Sequence, residues 1–318
     1  RDVPRPAKGE LLIKMKAASL NFRDLLMVQG MYNPRQALPL IPCSDGVGEV
    51  VELGAGVERF EPGERVMPIF AQKWISGRPT KEKLKSTLGG PLDGTLAEYM
   101  VLDAEAVVSV PEYLSDVEAA ALPCAAVTAW NALAVQGDVK PGDRVLVLGT
   151  GGVAIAAVQI AITLGAEVIV TSSSDQKLER ARDLGAKHGI NYRDVSEWGK
   201  AVRALTDDVG VDHVIEVGGA GTLNQSIRAV RIGGHISLIG VLAGGMQEIN
   251  VIPVLMQNIR VQGVIVGDRE MFEDMNRAFS AHEIRPVIDR VFAFEEAPAA
   301  FEYILDAAHF GKVCITMD

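Results

Sequence analysis

The sequence predicts an α/β protein in which a doubly wound parallel-sheet domain is joined to a smaller β-rich domain. Three observations carry this. Residues 145–174 read as strand, glycine turn, helix and second strand. From Gly142 onward, strand-like and helix-like runs alternate, the rhythm of parallel strands joined by crossover helices. Before Gly142 the strand-like runs are short, β-branched and bounded by Gly or Pro.

Length favours two hydrophobic cores over one, since 318 residues exceed what a single core usually serves. We place a first domain over 1–125, a nucleotide-binding domain over 126–267 and a return segment over 268–318 that packs back on the first. Hydrophobic residues make up 48% and charged residues 23%, which is ordinary for a globular chain. A formal net charge of −10 argues against sequence-independent binding to nucleic acid or anionic lipid. Cys43, Cys124 and Cys314 are far apart and odd in number, so the expectation is a reducing, cytoplasmic setting without disulfides. The chain opens abruptly at Arg1 with charged and Pro-rich residues and no targeting pattern, so a few residues are expected to precede it.

Strands are expected at 10–18 and 47–53. The string Pro-Gly-acid-Arg-Val occurs at Pro62–Val66 and at Pro141–Val145, each time a turn that launches a strand. Residues 71–93 are polar, carry four lysines and read as a long surface loop. In the second domain, strands are expected at 144–148, 167–171, 188–191, 213–217, 235–239 and 260–266. Helices fall at 153–164, 175–184, 198–205 and 222–230, then at 270–281 and 296–308 before a last strand, Lys312–Thr316. One uncharged run, Val145–Ala166, has the length of a membrane span. Its three glycines, Gly149, Gly151 and Gly152, fit a strand, turn and buried helix better.

That run carries the chemistry. Gly149-x-Gly151-x-x-Ala154 sits where a strand gives way to a helix. The first glycine permits the tight turn, Gly151 lets a pyrophosphate approach the backbone, and Ala154 lets the helix pack close to the sheet. The helix N-terminus offers N–H groups and a partial positive charge to the phosphates. No Lys-Ser or Lys-Thr follows the glycines, which excludes a P-loop. This is the Rossmann pattern, and the expected cofactor is a nicotinamide dinucleotide. An acidic residue at the end of the second strand would bind both ribose hydroxyls of NAD. Thr171, Ser172, Ser173 and Ser174 stand there instead, with Lys177 one turn on, a set suited to the 2′-phosphate of NADPH. The serines also suit a helix cap, and the two roles are compatible.

With these residues in view, the chain resembles the medium-chain dehydrogenase/reductase superfamily, in its quinone-reductase and zinc-type alcohol dehydrogenase-like branch. The carrying strings are Ser19-Leu20-Asn21-Phe22-Arg23-Asp24, Pro62–Val66, Leu122–Ala129, Gly149–Val153, Asp212–Glu216 and His309–Val313, spread over nearly all of the chain. The resemblance implies a GroES-like catalytic domain, hydride transfer and a homodimer or homotetramer. It also implies cofactor contacts. Gly151, Gly152 and Val153 match the pyrophosphate turn. Ser172, Ser173, Lys177 and Tyr192 match the 2′-phosphate pocket. Thr128, Val217, Val241 and Leu242 match residues near the ribose and nicotinamide, and Val264, Ile265 and Val266 the strand that holds the carboxamide. The apolar members of this set read equally well as β-strand core.

Zinc members place Cys, His and Cys around a catalytic metal; the matching positions here are Asn21, Ser44 and Cys124. Only one ligand survives, and the four-cysteine structural lobe is absent from residues 60–100. The expectation is therefore no metal, with Cys124 a small buried residue and the five histidines scattered on the surface or at helix ends. Without a metal, a conjugated carbonyl or quinone is the natural hydride acceptor, because the negative charge it receives is delocalised. The resemblance makes Asn21 and Tyr32 the candidate catalytic residues, since both match the segment that faces the nicotinamide in relatives, with Tyr32 at the position of a proton-donating tyrosine or, alternatively, a loop ring covering the cleft. Asp45 and Trp130 are further pocket candidates. Two other readings stay open: an alcohol or aldehyde dehydrogenase that does hold zinc, and an inactive NADPH-binding sensor.

Overall fold

The computed structural model describes residues 2–317 and divides the chain into two units. Unit 1 combines the residues up to Val127 with those from Val266 onward, and unit 2 is Thr128–Ile265. In chain order the strands are β1 (Glu10–Leu20), β2 (Asp45–Leu53), β3 (Arg65–Pro68), β4 (Tyr99–Asp103) and β5 (Val107–Ser109). Then come β6 (Arg144–Leu148), β7 (Glu167–Ser172), β8 (His188–Asn191), β9 (Val211–Glu216), β10 (Val230–Leu238) and β11 (Arg260–Gly263). The return segment adds β12 (Ile288–Ala293) and β13 (Lys312–Thr316).

Unit 1 is a seven-stranded sheet in the order β12-β13-β1-β2-β3-β5, with β4 also on β1. The long strand β1 organises it. Along one edge its first half pairs with β4 (Glu10–Lys14) and its last residues, Ala17–Leu20, pair with β13. A buried cluster of Ala18, Leu20, Leu25, Cys43, Phe292, Ala300, Ile304, Val313 and Ile315 ties the return segment to the first segment. Gly63 and Gly142 both take positive φ, +94° and +92°, which is what the repeated Pro-Gly string requires of its turn.

Two expectations about unit 1 need correction. Residues 71–93 are only partly a surface loop: Trp74 and residues 86–90 are buried, a helical turn forms at Lys81–Leu84, and Ala71 bridges to Thr87. The strand Ile288–Ala293 was not anticipated, because its Asp289 and Arg290 break the apolar run.

Unit 2 is a fully parallel six-stranded sheet, β11-β10-β9-β6-β7-β8. Counted from β6, this is the doubly wound order 3-2-1-4-5-6, which reverses between β6 and β9. The uncharged run forms β6, a turn and the helix Gly152–Thr163. Among the described residues no helix is long and apolar enough to cross a membrane. The histidines also depart from expectation, since His213 and His235 are buried on the neighbouring strands β9 and β10. Nε2 of His213 lies 3.1 Å from Asp143 Oδ2, and Nε2 of His235 lies 3.1 Å from Ser237 Oγ. Burial, reinforced by the charges of Arg260 and His213, pushes His235 down to about 4, so it is neutral at physiological pH.

Candidate functional site

In unit 2 the candidate residues gather at the carboxyl ends of the strands, on either side of the β6/β9 reversal, where open α/β sheets bind ligands. Gly149 has φ +78°, a conformation that favours glycine, and its N–H donates to Thr171 O at 2.9 Å. Gly151 is the extended cap of the helix Gly152–Thr163, and no side chain caps that helix. Its first N–H groups are thus left for an anion, as phosphate binding demands.

Beside this turn, Val217 follows β9, and its carbonyl accepts from the N–H of Leu242 at 3.2 Å. That bond brings Val217, Val241 and Leu242 together, with Val241 and Leu242 exposed. Val264, Ile265 and Val266 follow β11 instead of belonging to it, which ends the strand earlier than expected. Val264 N–H is bonded to Leu238 O at 3.0 Å. Val266 takes φ +38°, unusual for a β-branched residue, where the chain leaves unit 2. Thr128 is buried in the helical run that leads out of unit 1.

The carboxyl end of β7 holds the other set. Ser172 is buried, and its Oγ accepts from Ser174 N–H at 3.3 Å. Ser174 caps the helix Asp175–Asp183 by accepting from Lys177 N–H. Half-exposed Tyr192 donates its N–H to Ser172 O at 3.0 Å. Asp175, in the first turn of that helix, accepts from the amide of Asn191 at 3.0 Å. Ser172, Ser173, Lys177 and Tyr192 therefore line one strand-end corner without a carboxylate at the strand terminus. These residues fit a nicotinamide dinucleotide.

Sequence reasoning gave Glu216 no role of its own. It ends β9 fully buried, and its Oε1 accepts from the N–H groups of Gly218 (2.8 Å) and Gly219 (3.0 Å) and from Thr222 Oγ1 (2.6 Å). Its Oε2 accepts from Ser226 Oγ. One carboxylate thus fixes the loop after β9 and the start of the helix Ala220–Ala229. Gly219, at φ +82° with backbone atoms 2.8 Å from where a Cβ would stand, cannot be another residue without displacing that loop.

Unit 1 contains a second polar constellation, centred on Asn21. Asn21 caps the helix Phe22–Val28 in position only, since its side chain makes no cap bond. Instead Asp24 reaches back to Asn21 N–H at 2.9 Å. The Asn21 side chain is engaged elsewhere: Nδ2 donates to Ser44 Oγ at 3.3 Å, and Oδ1 accepts from Lys312 Nζ at 2.7 Å. Ser44 Oγ donates to Asp45 Oδ1 at 2.9 Å. Asp45 Oδ2 accepts from Cys124 N–H at 3.2 Å and lies 3.4 Å from Lys312 Nζ. Ser44, Asp45 and Lys312 are all buried. Burial lifts the neighbouring Asp24 carboxyl to about 6, against the pull of Arg23.

This donor set does not fit a zinc ion. Asn21 has spent its oxygen on an ammonium, and Ser44 directs its hydroxyl proton at Asp45. That leaves Cys124 as the one zinc-type ligand at the three positions, too few for a site. Cys124 is only partly buried, less than expected. Among the described residues, no three or more His, Cys, Asp or Glu side chains group as metal ligands. Tyr32 stands apart: its exposed ring lies 5.1 Å from the Arg23 guanidinium, which also sits 5.0 Å from Phe70. Asp45 belongs to the cluster, whereas half-buried Trp130 lies in unit 2.

Together the doubly wound sheet, the glycine turn and the β-rich unit define a nicotinamide-dinucleotide-dependent oxidoreductase. Residues 7–112 match the alcohol dehydrogenase GroES-like domain family, and residues 152–281 the zinc-binding dehydrogenase family. A zinc-type alcohol dehydrogenase-like protein of Schizosaccharomyces pombe is 46% identical over 316 residues, covering 98% of this chain and 91% of that protein. An acryloyl-coenzyme A reductase of Metallosphaera sedula is 30% identical over 98% of this chain and 94% of its own length. Among solved structures, an NAD-dependent alcohol dehydrogenase superposes with a TM-score of 0.92 at 33% identity, covering all of this chain and 94% of that one. A 2-octenoyl-CoA carboxylase reductase in complex with NADP and 2-octenoyl-CoA gives 0.87 at 25%, covering 98% and 80%. The chain belongs to the medium-chain dehydrogenase/reductase superfamily, and it is an NAD(P)H-dependent oxidoreductase.

Proposed function

We propose that the protein is a metal-independent, NADPH-dependent reductase of conjugated carbonyl compounds or quinones. The observation that carries this is the Asn21–Ser44–Asp45–Lys312 cluster, which fills the positions of two zinc ligands with groups bonded to one another. Relatives named acryloyl-CoA reductase and 2-octenoyl-CoA carboxylase reductase act on conjugated thioesters by name, which supports the acceptor class. The dinucleotide, held by Gly151, Gly152 and Val153 with Ser172, Ser173, Lys177 and Tyr192 at its ribose phosphate, supplies the hydride. Unit 1 supplies a hydrogen-bond donor, the Asn21 amide, for the oxygen that gains negative charge. Tyr32 serves in the Arg23 stack in this reading.

The test is NADPH consumption over quinones, enones, enoyl thioesters and aldehydes, with metal analysis of the same sample. Turnover on conjugated acceptors without stoichiometric zinc, unaffected by chelation, is expected. About one zinc per chain, lost together with activity, would establish the alcohol dehydrogenase reading instead. Cofactor binding without turnover on any of these acceptors would leave the sensor reading.

The partner in solution is proposed to be a second copy. Strand β11 is an unpaired sheet edge, flanked by the exposed residues Ile252, Leu255 (80%) and Met256 (75%), with Val261 half-exposed on the strand itself. An exposed apolar edge of this kind is a template for strand pairing, and an identical edge can meet it antiparallel about a twofold axis. Light scattering is expected to give twice the chain mass, falling to one chain in Val261→Lys/Leu255→Asp. A monomeric parent protein would refute the pairing.

A further inference from the structure

We propose that Lys312 is a positioning residue that locks the Asn21 amide with its N–H groups available and its oxygen withdrawn, making Asn21 a polarised donor for an acceptor oxygen. The inference rests on the assignment of Asn21 as the donor in the reductase.

An asparagine amide can ordinarily be turned either way, and only its hydrogen-bond partners decide which end is nitrogen. Here the partner decides without ambiguity. An ammonium has three donors and no acceptor, so the amide atom 2.7 Å from Lys312 Nζ is oxygen. The remaining contacts of Nζ are Leu20 O at 2.8 Å and Asp45 Oδ2 at 3.4 Å, which use up its three protons. Nδ2 must then face the other way, and it meets Ser44 Oγ at 3.3 Å. Ser44 can accept there because its own proton goes to Asp45. The chain of bonds thus runs in one direction only, from Lys312 through Asn21 and Ser44 to Asp45, and back to Lys312 as an ion pair. One Asn21 N–H is spent on Ser44, and the other has no partner among the described residues.

Two consequences follow. A cation on the amide oxygen draws charge from the nitrogen and strengthens its remaining N–H as a donor, the cooperative effect of linked hydrogen bonds in a low-dielectric site. The same bond turns the amide oxygen away, so the group that Asn21 leaves unbonded is an N–H. An oxygen that is gaining negative charge in the transition state is stabilised, in whichever direction the hydride moves. Lys312 therefore favours acceptors whose reduced form is an enolate or phenolate, where the charge that the donor meets is already delocalised.

Three variants and two probes, 1,4-benzoquinone and 2-cyclohexenone with NADPH, test this. Asn21→Ala removes the donor. Lys312→Met/Asp45→Asn removes both charges together, so no buried charge is left alone. The triple variant combines them. Loss of one such donor typically lowers turnover about 10²-fold, and loss of its orientation is expected to lower kcat about tenfold or more, with NADPH affinity unchanged. The triple variant is expected to be no slower than Asn21→Ala, because Lys312 acts only through the amide. Parental kcat in Asn21→Ala would overturn the donor assignment itself. A slow Asn21→Ala beside a charge-free variant at parental kcat would overturn the positioning role alone, as would fully multiplicative losses in the triple variant. A readout independent of folding and turnover comes from NMR of the parent protein. Rotation of the Asn21 side-chain amide, stiffened by the cation on its oxygen, is expected to be slower than that of exposed Asn33 and Asn250, and equal rates would overturn the proposal.

Discussion

Ser172→Asp is expected to reverse the cofactor preference, from tighter NADPH in the parent protein to tighter NADH in the variant. The argument is one of charge at the end of β7. By analogy with other phosphomonoesters, the 2′-phosphate carries about −1.5 to −2 near neutral pH. Two unit charges about 4 Å apart interact by roughly 4 kcal/mol at an effective dielectric of 20, and less with salt and exposure. Half of that, about 2 kcal/mol, already exceeds tenfold in affinity. In the parent protein no carboxylate ends the strand, and Asp175 on the following helix is turned to the amide of Asn191. The Ser174 N–H that Ser172 Oγ now accepts is available to a new carboxylate, which limits the cost of placing an acid at this buried position. Titration of both cofactors against parent and variant decides the matter. Equal affinities in the parent, or tighter NADH, would mean that the serines serve only as turn and cap.

Glu216→Ala is expected to give the largest loss of stability. The substitution strands two backbone N–H groups and the Ser226 hydroxyl at the end of β9, inside unit 2, while Thr222 Oγ1 keeps the Gly219 carbonyl at 3.2 Å. Each buried donor without a partner costs about 1–3 kcal/mol, and water entering the vacated space recovers part of it, so the net loss is roughly 3–5 kcal/mol. Glu216→Gln keeps an acceptor for the two glycine N–H groups and is expected to lose markedly less. Urea unfolding followed by the fluorescence of Trp198, which lies in the core of unit 2, reports the change. A shift below about 0.5 kcal/mol, the usual size for an ordinary surface substitution, would show that the loop is held by other contacts.

The legible parts of this chain were those in which one residue type answers one local demand. The Gly149–Ala154 pattern announced its turn because its small residues answer local demands: Gly149 takes φ +78°, Gly151 leaves room for a pyrophosphate, and Ala154 lets the helix pack close. The strand and helix rhythm of unit 2 was readable because crossover helices return each strand to the same parallel sheet. Glu216 and Lys312 stood in plain view as charges inside the apolar strands HVIEV and KVCIT, where a charge is rare unless paired. Their partners lay in other elements: Lys312 bonds groups near residues 20 and 45, a distance along the chain that no local pattern encodes. The histidines were misjudged for the same reason, since burial on β9 and β10 depends on what lies across the sheet. Asn21 was identified by its matching position, but its orientation required the ammonium that fixes it.

The pairing of β1 with β13 also dictates the order in which the protein can be completed. Unit 2 is one continuous stretch, whereas unit 1 draws on two separate stretches, and its sheet is complete only once β13 has been made. Until β13 emerges, Ala17–Leu20 form a short open edge on an otherwise paired strand, the kind of edge to which foreign chains add. Asp45 meanwhile stands without its ammonium, and Asn21 is free to turn. The same late strand that seals the edge delivers the charge, so the sheet and its chemistry are finished in a single step, 292 residues after Leu20 was made.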